Sequence, residues 1–200
     1  MGSFLARFGF SDVIVVRYRP KRAVYHTLEK QFLHTRTLPS LAYGGKSCSL
    51  KYKRSPQDKY VRTWPPAQEC WRRGLKVVKA IGYDAGPADS RRHRYLEDED
   101  YRYWYPLADW GYDRNRCQEI IRAAGLPVPL KSACFYCPAT KKQEILWLQE
   151  HHPDLLERAL AIERRAQACL RSVKGLGRSF SWETYAARCR EQPLLAACDS

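Results

Sequence analysis

The chain has 200 residues, of which 44% are hydrophobic, and a formal net charge of +14 at pH 7. This length and apolar content are typical of a globular domain and exclude a disordered tail. The sequence shows neither a membrane-spanning run nor a signal peptide, so a cytoplasmic location is expected, where its eight cysteines would stay free of disulfides. The basic excess predicts polyanionic partners, such as a nucleotide, a nucleic acid or an acidic protein.

The hydrophobic pattern predicts three strands. Residues 12–18 form an apolar, β-branched run of the kind found in buried strands. Residues 76–84 form a second such run, which ends at Gly82 and Gly86. Residues 101–107 form a third and weaker candidate, because Pro106 interrupts the run.

Helices are predicted between and after these strands from capping residues and apolar spacing. They cover residues 26–34, residues 57–64, residues 113–124 capped by Asp113 and stopped by Gly125, residues 140–150 opened by a Thr140/Gln143 capping box, residues 153–169 begun by Pro153, and residues 182–190. The pattern indicates an α/β domain over residues 1–150, with a helical extension over residues 151–200 packed on it.

Cys134 and Cys137 form a C-x-x-C turn, which places two soft ligands side by side. Cys48 lies far upstream, ahead of the basic run K-Y-K-R, whose charge favours a thiolate and attracts anions. A structural zinc site needs four ligands, and the sequence offers neither a second C-x-x-C nor a paired histidine motif. Two interpretations stay open: a metal or cluster site beside an anion site, or a turn that packs two small hydrophobic residues.

The other cysteines fit packing better than ligation. Cys117 and Cys169 fall on the apolar faces of their predicted helices, and free cysteine is a common core residue. Cys117 is also the candidate for a fourth ligand beside Cys48 and the C-x-x-C pair. Cys70, Cys189 and Cys198 have no ligand-like neighbours in the sequence.

Four segments, in order along the chain, carry a family resemblance. They are Cys48 with Lys53 and Pro56, the stretch I-G-Y-D-A-G from Ile81 with Arg91 or Arg92 downstream, the stretch Y-P-L-A-D-W from Tyr105, and the loop from Gly125 to the C-x-x-C pair. On these segments, residues 12–163 resemble the phosphoadenosine phosphosulfate (PAPS) reductase-like family of the adenine nucleotide α-hydrolase and ATP-pyrophosphatase group. The resemblance is strongest to the phage- and mobile-element-borne branch of that family.

The resemblance implies a Rossmann-like parallel sheet and sulfur chemistry on a nucleotide, either sulfonucleotide reduction or sulfur transfer. It implies ATP or a sulfonucleotide as substrate, bound by residues of the matching segments. Those residues are Lys53, Gly82, Asp84, Arg91, Arg92 and Lys131. The resemblance also implies a [4Fe–4S] cluster, with zinc as the alternative metal. Its ligands would be Cys48, Cys134 and Cys137, with Cys117 as a fourth because Ser49 stands where cluster-containing relatives have a further cysteine.

The sequence departs from the family pattern in three places. It contains no serine-glycine-glycine-x-aspartate-serine loop, which in relatives holds the nucleotide phosphates through backbone N–H groups. Pro87 stands where relatives carry a glutamate, and Cys198 is a poor substitute for the reductases' cysteine-containing tail. We therefore expect an N-terminally incomplete sheet without its first two strands. We also expect a truncated member, or one whose phosphate loop comes from a second chain, that is inactive alone.

A second class of function stays open, in which the chain is a non-catalytic basic module for nucleic-acid binding or assembly that retains the metal turn. Its arginine-rich surface would contact the DNA or RNA backbone. Such a surface predicts affinity that falls with salt across many nucleic-acid sequences. A nucleotide site predicts saturable binding of a small adenine nucleotide.

Overall fold

A computed structural model of the chain describes residues 6–22, 24–39, 47–93, 96–129 and 133–191. Lys131 and Cys198 lie outside these residues. The described part is mixed α/β, as predicted, with a two-stranded parallel sheet among its helices. The chain divides into two units, Met1–Asp58 with Ala133–Ser200, and Lys59–Ser132. The predicted α/β domain over residues 1–150 and helical extension over residues 151–200 stay predictions.

The described residues contain helices and two strands in the following order. The helices are α1 Leu28–Thr35, α2 Ser55–Thr63, α3 Pro65–Arg72, α4 Pro87–Ser90, α5 Pro106–Asp109, α6 Arg114–Ala123, α7 Lys142–His151, α8 Pro153–Ala166 and α9 Trp182–Glu191. The strands are β1 Val77–Ala80 and β2 Tyr101–Trp104. A helical turn at Ser47–Ser49 and a π-helix at Leu50–Arg54 lead into α2. No helix in the described residues combines the length and apolarity needed to cross a membrane.

Local hydrogen bonds explain where several helices begin. The Asp113 side chain accepts from the backbone N–H of Arg116 at 2.8 Å and caps α6, as predicted. The predicted capping box at Thr140 is wrong by one residue. The N-cap of α7 is Lys141, whose backbone N–H donates to the Glu144 carboxylate at 2.7 Å. The side chain that bonds back to the N-cap backbone is therefore Glu144, whereas Gln143 was predicted for this position.

The first predicted strand is wrong. Residues 12–18 have no regular secondary structure, and Val13, Ile14 and Val15 expose 54%, 57% and 72% of their surface. Among the described residues, the backbone groups of residues 12–17 make no hydrogen bond. A strand exists only through pairing with a neighbour, so an apolar β-branched run without one stays outside the sheet.

The sheet lies in the Lys59–Ser132 unit, where β1 pairs with β2 in parallel and Val77 lies opposite Tyr101. The buried Tyr101 packs edge-on against Trp71 of α3, with ring centroids 5.8 Å apart. The Trp71 indole N–H donates to the carbonyl of Asp100 at 2.9 Å, which fixes the start of β2. Tyr105 separates β2 from Pro106, which begins α5 because its ring suits the first turn of a helix.

The core of the other unit is helical. Helix α8 packs against α1, α7 and α9, and the side chains of Ile145, Ile162, Leu176 and Trp182 are fully buried there. The predicted packing of Cys169 is wrong, because this residue is exposed. The α-helix ends at Ala166, and the 3-10 turn that follows changes the angular spacing and moves Cys169 off the apolar stripe.

Candidate functional site

The C-x-x-C segment forms a closed turn anchored by its two aromatic residues. The backbone N–H of Cys137 donates to the carbonyl of Cys134 at 2.9 Å. Tyr136 is buried, and its ring meets Phe32 of α1 edge-on at 6.1 Å. Packing of this ring against α1 fixes the direction in which the turn presents its cysteines.

An ion pair supports the same turn from outside. Arg158 of α8 donates two hydrogen bonds to Glu29 of α1, at 2.9 and 2.6 Å. The guanidinium also lies over the Phe135 ring, 4.8 Å from its centroid. The bidentate pair and the cation–π contact together hold the Arg158 guanidinium in a defined position between Glu29 and the Phe135 ring.

Cys48 and Lys53 lie within electrostatic reach of the turn. Burial raises the pKa of the Cys134 thiol, and the neighbouring Cys137 and Cys48 raise it further, while Lys53 acts in the opposite direction. The pKa of Tyr136 is raised as well, mainly by burial and secondly by Cys134, with Cys48 among the further causes. The structure thus brings three cysteines and one lysine from distant parts of the sequence into one neighbourhood, which we call the thiol cluster.

The thiol cluster has the donor type that iron–sulfur clusters and zinc prefer. In the described residues, however, no three His, Cys, Asp or Glu side chains form a group that could hold a metal ion. The seven described cysteines are also free of disulfides. The ligand roles of Cys48, Cys134 and Cys137 therefore stay predictions.

The basic run after Cys48 does not act as one anion site. Lys51 turns away to Gln31, with Nζ 2.7 Å from Oε1, and lies near three tyrosine rings. Arg54 pairs with Asp58 at 3.4 Å. Lys53, which is exposed, is the cation of this run that influences Cys134. Lys53 is therefore the residue of this run that acts on Cys134, whereas Lys51 and Arg54 have other partners.

The predicted glycine turn follows β1 in the Lys59–Ser132 unit and is shaped by two carboxylates. Asp84 Oδ1 accepts from the backbone N–H of Gly86 at 2.9 Å. Asp89 of α4 accepts from the backbone N–H of Asp84 at 3.4 Å and from the Arg92 guanidinium at 2.9 Å. Arg114 of α6 lies 3.9 Å from the Asp84 carboxylate. Asp84 therefore orders the turn itself, and Arg92 already has an acidic partner.

Three rings pack together at the ends of the strands. His93 lies 5.1 Å from Tyr105 and 6.2 Å from Tyr83, and the two tyrosine rings are nearly parallel at 6.0 Å. Within the described residues, the buried Nε2 of His93 has no hydrogen-bond partner. Burial, followed by the neighbouring Tyr83, raises the pKa of Tyr105. We call Tyr83, His93 and Tyr105 the ring cluster.

The predicted site residues therefore fall into two groups. Gly82, Asp84, Arg91, Arg92 and Cys117 belong to the Lys59–Ser132 unit, and Lys53 with the other three cysteines belongs to the other unit. Cys117 is partly buried on α6, and burial and then Asp84 and Asp113 raise its pKa, against the lowering effect of Arg114. Its role as a fourth ligand stays a prediction.

The ring cluster was not predicted from the sequence, and neither was a role for His93. The sequence did contain a signal for this cluster. Tyr83 lies shortly after β1 and Tyr105 directly after β2, and each belongs to a segment that carries the family resemblance. In a parallel pair, such residues come to the same edge of the sheet. His93 follows Arg92 directly, but neither spacing nor charge distinguishes it in the sequence.

Comparison of the chain with protein-family models, with curated proteins and with solved structures found no match. The family resemblance therefore depends on the four sequence segments. The geometry of these segments in the structure is the basis for the function proposed next.

Proposed function

We propose that this chain is a PAPS reductase-like protein with a Rossmann-like ancestry, which binds an adenine nucleotide at the carboxyl ends of β1 and β2. One observation carries the proposal. The parallel pairing of the strands continues beyond β1, because the backbone N–H of Ile81 donates to the carbonyl of Trp104 at 2.8 Å. The I-G-Y-D-A-G and Y-P-L-A-D-W segments thus begin side by side, at the edge where α/β proteins bind their ligands.

The ring cluster suits the base of such a nucleotide. Aromatic side chains hold a planar base by stacking, and Nε2 of His93, which has no hydrogen-bond partner among the described residues, would offer a hydrogen bond to it. Arg92 lies 5.3 Å from the Tyr83 ring centroid and brings a positive charge to the same place. An anionic group of the ligand would compete with Asp89 for this guanidinium.

The thiol cluster is the second part of the proposal. Lys53 would offset the negative charge of a thiolate or of a sulfur-bearing group near Cys134. If a cluster is bound, Cys48, Cys134 and Cys137 would hold it, and it would supply one-electron chemistry. The reaction proposed is sulfonucleotide reduction or sulfur transfer.

The affinity for the nucleotide is expected to be low and sensitive to salt. The 200-residue sequence has no phosphate loop, so side-chain cations alone would contact the phosphates. A lysine or arginine on the surface is a weaker phosphate site than a preorganised set of backbone N–H groups.

Isothermal titration of the full chain with ATP and with phosphoadenosine phosphosulfate tests the proposal. We expect saturable binding that Tyr83→Ala weakens by roughly fivefold or more, because each stacked base contributes about 1–3 kcal/mol. Arg73→Gln is the control, since Arg73 is exposed in the same unit and lies beyond α3, before β1.

Absence of saturable binding, or an equal loss in both variants, would contradict the nucleotide site. Tight, salt-dependent binding of a single-stranded oligonucleotide that Tyr83→Ala leaves unchanged would instead favour the nucleic-acid module.

A further inference from the structure

An extended segment ahead of α1 carries apolar and basic side chains that the proposed function does not use. We call residues 10–22 the surface segment. Its residues 10–20 have no regular secondary structure. The segment belongs to the unit formed by Met1–Asp58 and Ala133–Ser200, and it contains none of the residues of the thiol cluster.

The first half of the surface segment exposes large apolar side chains. Phe10 exposes 64% of its surface, and Val13, Ile14 and Val15 are each more than half exposed. Several exposed apolar side chains in one short stretch are typical of a surface that contacts another molecule or a membrane. This half of the segment therefore suits an apolar partner.

The second half of the surface segment exposes a row of cations, which are Arg17, Arg19, Lys21 and Arg22. In the part of the chain that the structure describes, none of their side chains has an ion pair or a hydrogen bond. Asp12 is the single acidic residue of the segment. The row therefore carries more positive charge than its own segment neutralises, and it attracts an anionic partner.

Partly buried residues between these cations hold the row against the unit. The Tyr18 ring packs against the Tyr52 ring with centroids 4.7 Å apart, and Lys51 Nζ lies 5.1 Å from the Tyr18 centroid. Pro20 is partly buried as well. Successive side chains of an extended chain point to opposite sides, so the exposed cations that alternate with Tyr18 and Pro20 lie away from these contacts.

The two halves together favour a lipid surface over a nucleic acid. A phosphate backbone would neutralise the cations, but it would leave Val13, Ile14 and Val15 uncovered, and these side chains have no ring on which a base could stack. An anionic membrane suits both halves. Apolar side chains enter the boundary between headgroups and acyl chains, while the neighbouring cations contact the headgroups.

We propose that the surface segment binds this chain to the anionic surface of a membrane. The exposed apolar side chains would enter the interface, and the four cations would contact the headgroups. The contact is peripheral, and no helix in the described ranges is long and apolar enough to cross a membrane. This proposal does not depend on the nucleotide site, and its test contains no nucleotide, so the two can fail independently.

Flotation of the full chain with lipid vesicles in a density gradient tests the proposal, because bound protein rises with the vesicles and self-associated protein does not. We expect at least about tenfold stronger binding to phosphatidylcholine vesicles that contain about 30% phosphatidylserine than to phosphatidylcholine alone. Raising the salt concentration from about 0.1 M to about 0.5 M should weaken this binding, because salt screens the attraction.

The double variant Lys21→Gln with Arg22→Gln tests the row of cations. It should weaken binding by about 25-fold, because each cation near an anionic membrane contributes about fivefold. Arg188→Gln with Arg190→Gln is the matched control, since it removes the same charge from exposed positions of α9 in the same unit. The control should change binding by less than about twofold.

Ile14→Gln tests the apolar half. It should weaken binding by about fivefold or more, because it removes apolar area from the membrane interface. Leu75→Gln is the control, since Leu75 is a 51% exposed apolar residue of the Lys59–Ser132 unit, and it should leave binding unchanged. All the substituted residues are exposed, so the variants should fold normally.

Several outcomes would overturn the proposal. They include the absence of flotation with phosphatidylserine, equal flotation with phosphatidylcholine alone, and equal losses in the two double variants, which would indicate general surface charge. A loss on removal of Lys21 and Arg22 without one in Ile14→Gln would indicate another polyanion, such as a nucleic acid. An oligomer that Ile14→Gln dissociates and that phosphatidylserine vesicles leave intact would make a second copy of the chain the partner.

Discussion

Burial decides the chemistry of the Cys134 thiol more than its basic neighbour does. Its pKa is raised above the usual value, so the protonated thiol is the favoured form near neutral pH. The free energy of unfolding therefore falls as the pH rises from the unfolded-state pKa of this thiol through its higher folded-state pKa. The sequence places basic residues beside Cys48 but contains no measure of the burial of Cys134.

Lys53→Gln should raise the pKa of Cys134 further, because it removes a cation that lowers this pKa. We expect the pH profile of Cys134 alkylation by iodoacetamide, followed by mass spectrometry, to move to higher pH in this variant. Lys30→Gln, which changes an exposed lysine of α1, should leave the profile in place. A shift to lower pH in Lys53→Gln would contradict the described neighbourhood.

The cluster hypothesis predicts colour. Protein purified without oxygen should be brown and contain iron and labile sulfide, and Cys134→Ala should remove both because thiolates hold such clusters. Cys169→Ala is the control, since Cys169 is exposed and belongs to no candidate ligand set. Stoichiometric zinc without iron would favour a structural metal, and a colourless, metal-free, folded protein would favour cysteines that only pack.

At the scale of elements, Glu163 should be the most sensitive charged residue of α8. Glu163→Gln replaces one acceptor oxygen by an amide that donates, so it faces N–H groups that already donate to this position. We expect a loss of about 3 kcal/mol in the free energy of unfolding, measured by urea titration.

Glu157→Gln is the matched control for that measurement. Glu157 lies on the same helix, but its pair with Arg164 is exposed, so its loss should cost less than about 1 kcal/mol. Equal destabilisation by the two changes would show that the contacts of Glu163 do not hold the segment between α8 and α9.

Elements with local signals could be predicted from the sequence, and those that depend on distant partners could not. Helix α6 begins at Asp113 because the cap and the amide it binds are three residues apart. The strand predicted at residues 12–18 failed because strand formation needs a neighbour that the pattern of one segment cannot reveal. Glu163 was missed because its donors follow it by 13 to 20 residues and become partners only in the fold.

The candidate sites show the same division. The C-x-x-C turn and the glycine turn are short-range features, and both were identified from the sequence. The ring cluster requires the register of β1 against β2, in which Ala80 lies opposite Trp104, before Tyr83 and Tyr105 can be recognised as neighbours. Tertiary packing therefore supplied the part of the site that spacing alone could not.

For the molecule as a whole, the exposed apolar run at residues 12–18 predicts self-association. Its backbone makes no backbone hydrogen bond within the part of the chain that the structure describes, and its exposed β-branched side chains resemble an uncovered strand edge, which tends to pair with other chains. Val15→Lys should reduce concentration-dependent association, measured by light scattering, because a lysine at such an edge opposes pairing.

Val24→Lys adds the same charge at a site with 73% exposure outside the run, and it should reduce association less. If both variants associate as strongly as the unchanged chain, residues 12–18 do not form the contact.

The buried carboxylate of Glu163 also has a consequence for motion. If the segment after α8 opened by itself, this carboxyl group would stay in an apolar core without donors, so partial opening costs far more than it would for an ordinary surface loop. The amide protons of Leu176 and Trp182 should therefore exchange with solvent only when the surrounding helices unfold.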